Sequence, residues 1–252
     1  MKFSIGCDPE IFLKDKSGEL ISSVGLIGGS KWKPQPISDK GHFILEDNVA
    51  VEFNIPPSNN CHAFISHINF TMDYLLSKTT SMGLEFSTLA SASFPEEQLN
   101  TPDAQNFGCE PDYNAWTNKI NKRPYIEDQT LRSCGGHIHV GTSFDAISVI
   151  RSMDLHLGIP SLYLDSDVQR RKLYGKAGAF RYKPYGCEYR TLSNFWIWDD
   201  KLKEWAYEQT EKALEFVEEG NEINKYQGMQ IQKAINTNNH PIANNVNKYF
   251  GL

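Results

Sequence analysis

No window of about 18 consecutive apolar residues occurs in the 252-residue chain, which excludes a helix of the kind that crosses a bilayer. The first residues, Met-Lys-Phe-Ser-Ile-Gly-Cys-Asp, reach charge at once and lack the apolar centre of a secretory signal. Cysteine is sparse. The five, at 7, 61, 109, 134 and 187, are odd in number and dispersed, so they read as reduced structural thiols and not as a disulfide framework. An excess of basic charge is also missing: 25 Lys and Arg stand against 31 Asp and Glu, for a net charge of −6. That balance argues against a nucleic-acid partner, which needs a basic surface to displace counterions. Internal repeats, low-complexity tracts and convincing linkers are absent. The expectation is therefore one soluble, cytoplasmic domain over 1–252, with no membrane association and a helical C-terminal part from about 200.

Apolar residues at 40% and aromatics at 12% are ample for a core containing a sheet. Strand patterning predicts β-structure over 2–13, with a hairpin partner at 20–24, and over 49–54, where Val49, Val51 and Phe53 alternate with Ala50, Glu52 and Asn54. Further strands are expected at 84–92, 136–142 and 187–192. Ser58 reads as the cap of a long helix that Gly83 closes. A second helix is expected from Asp145 to 157, and an amphipathic one over 201–219. Segments 28–41 and 95–132 read as loops, and the asparagine-rich end follows a helical stretch. Strands interspersed with helices, without βαβ alternation, indicate an α+β fold.

Four strand segments carry a polar pair at i, i+2: Asp8 and Glu10, Glu52 and Asn54, His137 and His139, Glu188 and Arg190. Residues two apart project from the same face of a strand. One such pair is ordinarily the solvated side of a sheet, but four, each beside glycine or proline, point to a shared site. Acids crowded on one face repel unless cations lie between them. Asp8, Glu10, Asp47, Glu52 and Glu188 offer hard oxygen ligands suited to Mg²⁺ or Mn²⁺. Zinc is the competing reading, through Cys134-x-x-His137-x-His139, although no partner Cys-x-x-Cys exists. The block Arg170 to Arg181, containing Arg171 and Lys176, could wrap an oligophosphate as a basic, glycine-containing loop. It is neither a Walker A loop nor a dinucleotide fingerprint.

In order along the chain stand Gly-Cys-Asp-Pro-Glu-Ile-Phe-Leu, Glu-Asp-Asn-Val-Ala-Val-Glu-Phe-Asn, Gly-Gly-His-Ile-His-Val-Gly and Tyr-Gly-Lys-Ala-Gly-Ala-Phe-Arg-Tyr-Lys-Pro-Tyr-Gly-Cys-Glu-Tyr-Arg-Thr. Together they resemble the phage-type COOH–NH2 ligases, a branch of the glutamine synthetase and glutamate–cysteine ligase superfamily. The resemblance implies a curved antiparallel sheet, the glutamine synthetase-like catalytic half-barrel, backed by helices and holding ATP and Mg²⁺, or Mn²⁺ in its place. It implies metal ligands at Asp8, Glu10, Asp47, Glu52 and Glu188. One of His137 and His139 should contact metal or phosphate, with His139 favoured. Arg190 is expected on the γ-phosphate, with Arg181, Lys176 and Arg171 as further nucleotide contacts, and Glu188, Arg181 and Arg190 as the catalytic set. The expected reaction joins a small-molecule or peptide carboxylate to an amine through an acyl phosphate, in the host cytoplasm if the chain is phage-encoded. The rival readings are a metal-dependent hydrolase and a noncatalytic protein that binds a nucleotide or partner. Trp32, Tyr113, Trp116 and Tyr125 are loop aromatics that either line a pocket or anchor the loops.

Overall fold

A computed structural model describes residues 3–105, 112–122 and 127–252. The chain opens with β1 (Ser4–Lys14), β2 (Leu20–Ile21), β3 (Gln35–Pro36), β4 (Phe43–Asp47) and β5 (Ala50–Asn54). The long helix α1 (Cys61–Ser81) follows, then β6 (Glu85–Ser87), β7 (Ser91–Ser93) and the short α2 (Pro102–Gln105). Next come β8 (Tyr113–Asn114), β9 (Lys119–Ile120), β10 (Leu131–Ser133) and β11 (Gly136–Gly141). A helical stretch of α3 (Ala146–Met153), a π turn (Asp154–Gly158), α4 (Ser161–Leu164) and α5 (Val168–Leu173) leads into β12 (Ala179–Lys183) and β13 (Gly186–Tyr189). The chain ends with α6 (Asp200–Glu218), α7 (Lys225–Asn236) and α8 (His240–Phe250).

The fold is α+β, built on a large antiparallel sheet in the order β3-β4-β5-β1-β11-β13-β12-β8-β9, which does not close into a barrel. β1 is its axis. It pairs with β11 from Ser4↔Gly141 to Pro9↔Gly136 and with β5 at Glu10↔Glu52 and Ile11↔Val51. Its last residues are flanked by β2 and β6.

Alternation gives this sheet two unlike faces. Ile5 and Cys7 on β1, Val51 and Phe53 on β5, Ile138 and Val140 on β11, and Cys187 and Tyr189 on β13 are buried in the main core. Phe64, Ile68 and Leu75 of α1, Val149, Ile150 and Met153 of α3, and Ala206, Tyr207, Ala213 and Leu214 of α6 complete that core. Each large apolar side chain so buried contributes roughly 1.5–3 kcal/mol. A second cluster joins the π turn and α4 to α7 and α8 through Leu155, Leu162, Ile231, Ile235 and Val246. A third gathers Phe12, Leu20, Phe94, Leu99 and Cys134.

Several boundaries differ from the sequence expectation. Ser58 does not cap α1, because its backbone exchanges hydrogen bonds with Ile5 at 2.7 and 2.8 Å and extends the sheet. Asn60 is the cap, its side chain accepting from the Ala63 amide at 2.8 Å. Val49 sits in a turn, and the expected strand over 84–92 divides into β6, paired with β1, and β7, paired with β10. β12 falls within and just after the block read as a basic loop; its Phe180 and Tyr182 alternate with Arg181 and Lys183. The C-terminal asparagines are partly caps: Asn224 forms a capping box with Gln227, and Asn239 starts α8. No described helix is long and apolar enough to cross a membrane.

Trp196, fully buried, ties the sheet to its helices. Its ring stacks on Phe64 with centroids 5.9 Å apart, and its Nε1 donates to the Gly136 carbonyl at 3.1 Å. Trp196→Ala should therefore destabilise the fold by roughly 3–5 kcal/mol, read as a lowered urea midpoint.

Candidate active site

The opposite face of the sheet carries the polar pairs, and strand register decides which of them meet. Asp8 lies across from His137, His139 from Glu188, Glu188 from Arg181, and Glu10 from Glu52. Neighbouring strands stand about 4.8 Å apart, so these partners are within reach of one another. Asp47 arrives by a hairpin. Asn48 takes φ +62, a left-handed conformation that asparagine tolerates, and the two-residue turn pairs Asp47 with Ala50. That places Asp47 diagonally beside Glu52 on the same face.

Two groups result, Asp8–His139–Glu188 and Glu10–Asp47–Glu52, in each of which one potential ligand atom per residue lies within 4.8 Å of the others. They line or underlie a cavity of about 790 Å³. Asp8, Glu10, Asp47, Glu52, His137 and His139 form its floor, with Arg181, Lys183, Tyr185 and Arg190 towards one side and Lys31, Trp32 and Lys40 among its other lining residues. Glu188 is fully buried beneath this floor.

Charge is unevenly balanced across the floor. Glu188 contacts Arg190, lies 2.6 Å from Lys183 Nζ and 3.7 Å from Arg181 Nη1. Burial and the charge of Asp8 would raise its carboxyl, but Arg190, His137 and His139 bring it down to about 2. Asp8 is likewise opposed by burial, yet the charge of His139 and close contacts from His137 and His139 hold it well below the usual range. Glu52 goes the other way. Burial, then the charges of Asp8, Asp47 and Glu10, push it well above an ordinary glutamate. Lys31, 3.7 Å from Asp47, opposes these charges only in part, so four acids near one another create an electrostatic demand for positive charge.

The orientation of individual atoms agrees with that demand. Asp8 Oδ1, His139 Nε2 and Glu188 Oε2 are buried and make no well-aligned hydrogen bond. His139 Nε2 is 2.9 Å from Asp8 Oδ2, and Lys183 Nζ is close to Glu188 Oε2, but both contacts are ion pairs off the hydrogen-bond line. Hard oxygens plus one imidazole in each other's reach make a donor set that suits Mg²⁺ or Mn²⁺.

His137 is held differently from His139. Its Nδ1 is 3.3 Å from Asp8 Oδ1 and from Arg190 Nη1, and its Nε2 is 3.4 Å from Arg170 Nη2. Burial and the Arg190 charge lower its imidazole below the ordinary value. The ring fits because residue 135 is glycine: a Cβ there would overlap His137 Nε2. The Gly135 amide also donates to Glu10 Oε2 at 2.6 Å, fixing that carboxylate.

The basic block divides. Arg181 and Arg190 reach the cavity, but Arg171 and Lys176 do not line it. Arg171 is buried, donating to the Ser161 carbonyl at 3.0 Å and pairing with Asp165 at 3.2 Å, so it ties α5 to α4. Lys176 is half-buried, and its carbonyl accepts from the Thr191 hydroxyl. Both lie before β12, in α5 or the turn after it, and so escape the strand alternation that aims Arg181 at the site. Cys134 belongs to the third hydrophobic cluster, where burial pushes its thiol well up, and neither ligand group includes it. The zinc reading loses its sulfur.

Lys183 and Tyr185 were not singled out from the sequence. Lys183 follows Arg181 by two, so the same alternation would have found it once β12 was read as a strand. Of the loop aromatics, Trp32 lines the cavity and is 86% exposed. Tyr113 packs on Phe180 and Tyr182, and Trp116 donates to Asp154 at 2.6 Å. Tyr125 and Cys109 lie outside the described residues.

Residues 129–238 match the family described as Phage phiEco32-like COOH.NH2 ligase-type 2. The matched segment runs from β10 through α7 and contains His137, His139, Arg181, Glu188 and Arg190, whereas Asp8, Glu10, Asp47 and Glu52 precede it. No curated protein matches the chain.

Burial opposes protonation of His139, but the Asp8 carboxylate raises its imidazole above the usual value. Their pairing therefore stabilises the metal-free fold below the ordinary histidine range and fades as pH rises through the raised value. In chelator-treated protein, Asp8→Asn should move the His139 titration to lower pH, as followed by imidazole NMR shifts.

Proposed function

We propose, from the phage-type carboxylate–amine ligase that the match over residues 129–238 supports, that this chain joins a carboxylate to an amine using ATP and Mg²⁺. The observation that carries the reading is the juxtaposition of two carboxylate-rich groups with Arg181, Lys183 and Arg190 around a single cavity. In this reading the sheet serves as the catalytic face of a glutamine synthetase-like fold.

Each part of the site has a chemical task. A carboxylate is a poor electrophile, so one of its oxygens attacks the γ-phosphorus and the bond to ADP breaks. The amine nitrogen then attacks the acyl carbon, phosphate departs with that oxygen, and the nitrogen loses its proton. Arg181, Lys183 and Arg190 bind the triphosphate oxygens, Arg190 lying nearest the phosphoryl group in transfer. These cations rest against Glu188 in the free protein and line the cavity that the nucleotide would enter. Asp8, His139 and Glu188 hold one divalent cation and Glu10, Asp47 and Glu52 another, with His137 braced by Arg170 and Arg190 to keep Asp8 and Glu188 in place. When bound, the cations supply Lewis-acid stabilisation of phosphoryl charge and screen the repulsion between carboxylate and triphosphate. No covalent enzyme nucleophile is needed. Substrates are small-molecule or peptide carboxylates and amines.

The test is ADP release by purified protein with Mg²⁺ and ATP, screened against pooled carboxylates and amines. Release should require both substrates. Arg181→Ala should reduce it by about 10²–10³-fold, the usual loss when one group stabilising transition-state charge is removed. Glu188→Gln should abolish it. Turnover of an ester or peptide without ATP would replace this reading with the metal-dependent hydrolase. Binding of Mn²⁺, followed by calorimetry, should weaken in Glu10→Gln and in Glu52→Gln, and both variants should lose ADP release. Unchanged Mn²⁺ affinity in both would remove the second cation from the proposal.

A further inference from the structure

We infer that the Tyr185 hydroxyl is a positioning group that holds His139 as the tautomer with hydrogen on Nδ1, leaving the Nε2 lone pair for the cation of the Asp8–His139–Glu188 group. The cation is taken from the proposed function; the tautomer itself is a property of the free protein.

The two nitrogens of His139 face different partners. Nδ1 is 2.6 Å from the Tyr185 hydroxyl, whereas Nε2 lies 2.9 Å from Asp8 Oδ2 without the alignment of a hydrogen bond. A neutral ring carrying its hydrogen on Nε2 would spend it on this neighbouring carboxylate, the best acceptor in reach. The misaligned contact is compatible with a lone pair on Nε2, which a cation held by Asp8, His139 and Glu188 would use. A phenol hydroxyl can accept as well as donate, so Tyr185 can take the Nδ1 hydrogen and determine which nitrogen is left to ligate. Outer partners of this kind orient ligating histidines and raise their basicity.

Tyr185 is built to stay where it is. It stands with Pro184 in the two-residue turn between Lys183 and Gly186, the last cross-strand pair of β12 and β13. Proline fixes φ at the first turn position. The Tyr185 carbonyl accepts from the Thr142 amide at 2.9 Å, tying the turn to the end of β11, the strand that carries His139. The phenol and imidazole rings are nearly parallel at 21°, with centroids 6.1 Å apart. Half of the tyrosine is exposed in the cavity, so the ring is not needed to fill the core.

The first readout needs neither metal nor substrate. Long-range ¹H–¹⁵N correlation of the histidine ring, in metal-free protein at alkaline pH, should find the His139 hydrogen on Nδ1, and Tyr185→Phe should shift it towards Nε2. The second readout is Mn²⁺ affinity by calorimetry. Tyr185→Phe should bind roughly 10–100-fold more weakly, as for other lost outer partners. Because Tyr185 acts through His139, the same substitution in a His139→Ala background should cause no further loss. Hydrogen on Nε2 in the wild type overturns the inference. So does wild-type Mn²⁺ affinity in Tyr185→Phe, or an equal loss with and without His139. Those failures leave wild-type Mn²⁺ binding and its weakening in Glu10→Gln intact, whereas a wild type that binds no Mn²⁺ overturns the cation reading as well.

Discussion

Carboxylates on neighbouring strands repel one another unless positive charge lies between them, and β1 sets two acids in that position. Asp8 stands beside the His137–His139 strand and one strand from Glu188; Glu10 stands directly across from Glu52. The protein meets this repulsion unequally. Around Glu188 it supplies Arg190, Lys183 and Arg181 from its own side chains. Around Glu52, burial and neighbouring charges that are mostly negative drive its carboxyl towards the protonated form. Positive charge over a floor of this kind would relieve that repulsion, and both groups offer ligand atoms within reach of one another.

The sheet can afford such a face because its other side is conventional. The same strands that present Asp8, Glu52, His139 and Glu188 turn Cys7, Val51, Val140 and Cys187 into the core beneath α1, α3 and α6. Register and burial therefore depend on each other: a one-residue slip of β11 against β1 would turn His137 and His139 into the apolar core and Ile138 and Val140 onto the charged face. Hydrophobic packing behind the sheet thus sets the precision of the charged side. The buried indole of Trp196, bonded to the Gly136 carbonyl at the start of β11, is one of the contacts that hold that register. Beside it, Gly135 makes room for the His137 ring and fixes Glu10 through its amide.

Strand alternation was readable for Asp8 and Glu10, for Glu52 and Asn54, for His137 and His139, and for Glu188 and Arg190, because i, i+2 geometry is local. It failed around β12, where glycines and clustered basic residues look like a loop. Ala179–Lys183 is a strand only because β13 and β8 pair with it. Arg171, in α5, pairs with Asp165 away from the cavity, whereas Lys183 follows Arg181 on the same face of β12. The cap of α1 was misplaced for a related reason: Ser58 has a suitable side chain, but its backbone is already taken by Ile5.

The sequence by itself determined the α+β class, the side-chain types of the candidate site and the face on which most of them lie, since side-chain type and two-residue periodicity require no knowledge of distant contacts. The tertiary structure alone decided which pairs become neighbours. Asp47 joins Glu10 and Glu52 through a hairpin turn at Asn48, His139 meets Glu188 across an interval of 49 positions through β11–β13 register, and Tyr185 reaches His139 from a turn anchored to Thr142. Such juxtapositions are set by backbone hydrogen bonds between remote segments and by the packing that holds them in register, and neither is encoded in any short stretch of the chain.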